Sequence, residues 1–197
     1  MVYDARESLA WHEGGHAAAH ILLNRPFASV SIVPSDSTNG SLLGYRPAWA
    51  IDLQGAAGPD LDWVAGSDTD ASAGPDLDWV AGECVTLLAG PEAELRYGDA
   101  ISDRPADWER RMAVTALADN EYVTGLIERF VSLDPDDQDS FELRLEREVN
   151  DLFAQPAWEP THRAIVAALL QHETLTEEEA RTAVADWLQG EPSEAVD

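Results

Sequence analysis

The residues with the clearest chemical potential form one pentapeptide, His12-Glu13-Gly14-Gly15-His16, a match to H-E-x-x-H. On an α-helix, side chains four apart share a face, so both imidazoles can converge on one metal ion. Glu13 lies one position further on, within reach of a water at such an ion without itself being a ligand. Two imidazoles and an open coordination position suit Zn²⁺, which lowers the pKa of bound water towards ~7. A carboxylate beside that water completes a general-base arrangement for attack on a carbonyl. His20 lies two turns from His12, about 12 Å along a helix, and is expected to be a packed or outer histidine. His162 and His172 fall in C-terminal helical patterns and read as structural. Cys84 is the single cysteine, which rules out an intrachain disulfide and reads as a small buried apolar side chain.

The pentapeptide needs a helix, and the chain supplies start and stop signals for one. Asp4 with Glu7 reads as a capping box, Leu9, His12, Ala17, His20 and Leu23 follow at helical spacing, and Asn24 with Pro26 ends the run. A helix over residues 5–23 is predicted. Gly14 and Gly15 each cost roughly 1 kcal/mol relative to Ala in a helix. They leave room for another backbone, or a substrate, to approach. Phe27 to Val33 then alternates as a half-buried strand does, and Pro34 ends it. Residues 35–40 are turn chemistry, and Ser41-Leu42-Leu43-Gly44-Tyr45 returns as a second strand, predicting a hairpin beside the first helix. That second strand is a place where an extended peptide could pair.

A decapeptide, Ala57-Gly58-Pro59-Asp60-Leu61-Asp62-Trp63-Val64-Ala65-Gly66, recurs unchanged as residues 73–82. Two copies are too few for a solenoid, which needs at least ~3. The second copy runs into Cys84, Val85, Leu87 and Leu88 at helical spacing, with Pro75 near the start. The first runs into Ser67-Asp68-Thr69-Asp70, so residues 54–75 read as a flexible excursion carrying a tandem duplication. Beyond Gly98 the chain is helical. Trp108, Met112, Leu117, Val123, Ile127 and Phe130 outline a long helix with a possible interruption at Gly125, and Asp134-Pro135 breaks it. Asp136-Asp137-Gln138-Asp139 suits a helix N-terminus. Phe141, Leu145, Val149, Leu152 and Phe153 mark the next helix, and Ile165, Val166, Leu169 and Leu170 another. Thr176 with Glu179 caps a last helix ending near Gly190, before a disordered tail at 191–197. The expected fold class is α+β, mainly α, in a single domain over residues 1–190.

With 197 residues, 45% hydrophobic and 25% charged, the chain can bury a core and lacks the composition of a disordered tail. Its 12 basic residues, all Arg, face 38 acidic ones, a net charge of −26 that disfavours nucleic acid as a partner. No apolar run approaches the ~18 residues of a membrane span, and the N-terminus lacks a secretion signal, so a cytoplasmic protein without membrane contact is expected.

Several segments, in order along the chain, resemble the peptidase domain of FtsH-type proteases, the membrane AAA zinc metalloproteases. His12-Glu13-Gly14-Gly15-His16-Ala17 resembles H-E-A-G-H-A, and Ser31-Ile32-Val33-Pro34 with Leu43-Gly44-Tyr45 resembles that family's strand and downstream L-G-Y. Leu88-Ala89-Gly90-Pro91-Glu92-Ala93-Glu94 with Tyr97-Gly98 resembles L-A-G-R-x-A-E-E and aromatic-Gly, and residues 168–176 resemble the L-L-x-x-E-T-L segment. The resemblance implies a zincin-like helical peptidase, one Zn²⁺ per chain, and a third ligand from an Asp opening a helix after the aromatic-Gly. Counting from Gly98 selects Asp107, with Asp103 and Asp99 as alternatives; the family's T-G-A-x-N lead-in is absent. His12, His16 and Asp107 would hold the zinc and Glu13 would be the catalytic base. No G-x-x-x-x-G-K-[ST] phosphate loop is present. The implied activity is zinc endopeptidase action on peptides or unfolded proteins without a fused ATPase. A separate ATPase and self-association into a homo-oligomer are candidate partnerships. The alternative is a catalytically silent zinc-binding module serving as adaptor or regulator.

Overall fold

A computed structural model describes residues 3–33, 41–46, 64–65, 77–131 and 134–190. The fold is α+β and mainly α. In chain order the elements are α1 (Ala5–Leu22), β1 (Phe27–Ser31), β2 (Ser41–Arg46), β3 (Val64–Ala65), α2 (Leu77–Ala100), α3 (Trp108–Phe130), α4 (Pro135–Ala154), α5 (Trp158–His172), β4 (Thr174–Thr176) and α6 (Glu177–Leu188).

Helix α1 is the centre. Asp4 caps it as expected, accepting from the amides of Arg6 at 2.7 Å and Glu7 at 3.2 Å. The Glu7 carboxylate serves a longer-range contact, accepting from the Tyr97 hydroxyl at 3.1 Å. Beyond Leu22 the chain turns through Asn24, at φ 52, a conformation Asn tolerates better than most residues. Ala17, Ala18 and Ala19 are buried, and α1 packs between α2 and α5. The two glycines explain how closely. A Cβ on Gly15 would lie 2.6 Å from the Ala89 carbonyl oxygen and 3.0 Å from Gly90 Cα. One on Gly14 would meet Val166 Cγ2 at 3.0 Å. The approaching backbone is therefore α2.

The expected hairpin is present, and it belongs to a larger sheet of order β3-β2-β1-β4. β1 pairs antiparallel with β2, Val30 opposite Leu42, and on its other edge with β4, Val30 opposite Leu175. β4 has three residues, too few for any periodicity to reveal. Val64–Ala65, from the first repeat copy, lies parallel against Tyr45–Arg46. The rest of the 54–75 excursion and the 191–197 tail lie outside the described residues. The second copy enters α2, as its continuation suggested.

Helix α3 runs unbroken through Gly125, where a Cβ would meet nothing within 4 Å. Leu117, one of the residues whose spacing outlines this helix, is 53% exposed. The inward stripe is Trp108, Met112, Thr115, Asp119, Tyr122 and Leu126. Asp134 caps α4, and Thr176 and Glu179 form the predicted capping box of α6. Among the described residues no helix is long and apolar enough to cross a membrane.

Candidate metal centre

His12 and His16 project from the buried side of α1, their ring centroids 4.9 Å apart. Each ring is held at Nδ1. His16 Nδ1 lies 2.8 Å from the Thr86 carbonyl oxygen, which can only accept, so this nitrogen carries the proton. His12 Nδ1 lies 3.0 Å from Glu94 Oε2, a carboxylate that likewise accepts. With Nδ1 engaged in this way, Nε2 is the ring nitrogen that a metal ion could take, displacing any proton there.

Both Nε2 atoms face Asp119, the charged member of the inward stripe of α3. His12 Nε2 is 3.1 Å from Asp119 Oδ2, and His16 Nε2 is 3.7 Å from Oδ1. The three groups offer one ligand atom each, all within 4.8 Å of one another, and all three residues are buried. Asp119 Oδ2, although beside an imidazole, is buried without a hydrogen bond. A divalent cation would satisfy that oxygen, and a donor set of two imidazoles and one carboxylate suits Zn²⁺. The residues present fit the metal.

Glu94 ties the centre together. Beyond His12, its carboxylate accepts from Ser8 Oγ at 2.6 Å and Thr115 Oγ1 at 2.9 Å, so one side chain of α2 grips α1 and α3. Burial alone would raise its pKa, but His12 and the two hydroxyls outweigh it and hold the carboxyl below its ordinary range. Burial would likewise lower His12, yet the Asp119 and Glu94 carboxylates push it up to about 10. His16 moves the other way, since burial outweighs the Asp119 carboxylate. Glu13 is 6% exposed, and burial pushes its carboxyl up to about 8 against the opposing pull of His12.

Asp107 is elsewhere. It precedes α3 without capping it through its side chain, and its Oδ2 accepts from Arg111 Nε at 3.0 Å. The Arg111 guanidinium holds its carboxyl below the usual range. Asp119 lies three turns on, about 18 Å along the helix. The assignment of Asp107 as third ligand is therefore corrected by geometry: α3 brings Asp119, not Asp107, to the imidazoles. Neither alternative joins them, since Asp99 pairs with Arg104 at 2.7 Å and Asp103 is exposed.

Of the three remaining histidines, two are packed as expected. His20 packs its ring against Phe27, centroids 5.7 Å apart, and burial pushes it down to about 3. His162 Nε2 donates to the Trp11 carbonyl at 2.9 Å and stacks on Trp158, while His172 is exposed. Cys84 is buried, which pushes its thiol up to about 12 and leaves it unreactive. Compared with protein-family models and with curated proteins, the chain matches none.

Proposed function

We propose that the chain is a zinc-dependent peptidase in which His12, His16 and Asp119 hold one Zn²⁺ and Glu13 is the general base. The observation that carries this reading is the convergence of two imidazoles, each anchored at Nδ1, on the buried Asp119 carboxylate, whose Oδ2 lacks a hydrogen bond. The resemblance of residues 12–17, 88–98 and 168–176 to FtsH-type peptidase segments supports it. Zn²⁺ bound there would supply Lewis acidity, lowering the pKa of a water towards ~7 and polarising a substrate carbonyl.

The protein's own residues do the rest. Glu13 takes a proton from the attacking water and delivers it to the leaving amine. Burial makes its carboxylate more basic than an ordinary one, which favours uptake of that proton. Glu94 and the Thr86 carbonyl hold the imidazoles in one tautomer and orientation throughout. An extended peptide is the substrate shape the sheet favours. β1 pairs with Ser41–Gly44 on one edge of β2, and on the opposite edge β3 pairs at Tyr45–Arg46, with no other strand on that edge among the described residues.

Glu13→Gln tests the assignment. It should retain one equivalent of zinc and lose about 10²- to 10⁴-fold in cleavage of a quenched peptide or casein. Equal, background-level signals from both proteins, with zinc retained, would instead identify a silent zinc-binding module. A wild-type protein without stoichiometric zinc would overturn the reading itself.

A further inference from the structure

Helix α2 carries Gly90-Pro91 in its interior, the two poorest helix formers side by side. Pro91 has no amide hydrogen, so the Leu87 carbonyl loses its usual donor four residues on. The same stretch of α2 meets His16. A Cβ placed on Gly90 would overlap His16 Cε1 and Nε2 and lie 2.9 Å from Cδ2, and these are its three nearest neighbours. Those three atoms form the ring edge that carries the metal-binding nitrogen. One turn earlier, the Thr86 carbonyl receives the Nδ1 proton of the same ring at 2.8 Å. Thr86 Oγ1 bonds back to the Glu83 carbonyl at 2.7 Å, so the hydroxyl is engaged away from the ring.

We propose that Gly90 is a positioning residue for His16: the missing side chain is the seat into which the imidazole fits, with the Thr86 carbonyl setting its tautomer. The consequence for metal binding rests on the zinc reading above, whereas the seat itself does not. The three nearest atoms that a methyl group at residue 90 would meet all belong to the His16 ring, so relief by way of the ring would displace it from its present place beside Asp119. Gly90 also lies under Gly15, so a purely packing role is the competing explanation.

Two measurements separate these roles. The first is a double-mutant cycle in EDTA-treated protein, following urea unfolding of wild type, Gly90→Ala, His16→Ala and the double variant. Gly90→Ala should lower the midpoint, or prevent folding, only while His16 is present, and His16→Ala should rescue it. A double variant as unstable as Gly90→Ala would show that the methyl group clashes with α1 rather than with the ring, and would overturn the proposal. The second is Co²⁺ titration, read by the visible absorption of the bound ion. Folded Gly90→Ala should bind Co²⁺ at least about tenfold more weakly, with an altered band, as expected when a ligand's support is lost. Gly125→Ala, the control on α3, should match wild type. Wild-type affinity and spectrum in Gly90→Ala would contradict the seat. Failure of wild type to bind Co²⁺ would count against the metal reading, and the metal-free cycle would still decide the seat.

Discussion

Two stretches of α3 hold the same residue type to opposite effect. At its start, Asp107 has a 37% exposed side chain and Arg111 as its partner. In its middle, Asp119 has a 12% exposed side chain, two imidazoles facing it and an oxygen without a hydrogen bond. A carboxylate already paired with a guanidinium near water gains little from a cation. A buried one facing two imidazole nitrogens gains more, because a cation there can take the place of the His12 proton and reach the oxygen left without a hydrogen bond. Helix phase, rather than proximity to a motif, decides which aspartate can act.

The sharpest way to break that contrast is to remove each carboxylate in turn. Asp119→Ala should weaken zinc binding by more than about a hundredfold, since loss of an outer-shell partner alone costs 10- to 100-fold. Asp107→Ala should leave it unchanged. Competition with a chromophoric chelator measures both, and equal effects would erase the distinction. A smaller loss is expected one shell out. Glu94→Gln keeps the size of the side chain but replaces one acceptor oxygen with an amide, and should cost about 10- to 100-fold in zinc affinity.

The smallest effect compares histidines. Asp119 and Glu94 hold His12 up at about 10, whereas His162, buried without a carboxylate partner in hydrogen-bond contact, is pushed down to about 4. Its folded-state pKa is below the unfolded value of about 6.5, so the unfolded chain binds more protons between the two. Stability from a neutral His162 is therefore present above pH 6.5 and is lost as pH falls towards 4. The loss is about 2 kcal/mol by pH 5 and about 3 in total. His162→Gln can still donate to the Trp11 carbonyl and should remove that part of the pH dependence. Urea denaturation of both proteins at pH 7 and pH 5 measures it, and parallel losses would refute the assignment.

Helix α1 was legible because its signals are local: Asp4 caps it, Pro26 lies beyond its end, and the histidine spacing needs nothing distant. The helical remainder was legible for the same reason. Asp119 escapes the apolar outline of α3, which includes the solvent-facing Leu117, and a count from Gly98 reaches Asp107 instead. The signal was nevertheless in the chain: Trp108, Met112, Thr115, Asp119, Tyr122 and Leu126 follow helical spacing, and a charged residue on that stripe is conspicuous. Glu94 ends the Leu88–Glu94 segment, yet its bond to His12 spans 82 residues and follows only from the packing of α2 on α1. β4 was hidden by its length.

The most direct test is zinc K-edge X-ray absorption on the wild-type protein and Asp119→Ala. Two imidazole nitrogens and a carboxylate oxygen at about 2.0–2.2 Å are expected in the wild type, with the protein-derived oxygen contribution lost in the variant. A wild-type spectrum without imidazole scattering, or one that Asp119→Ala leaves unchanged, would contradict the three-residue centre.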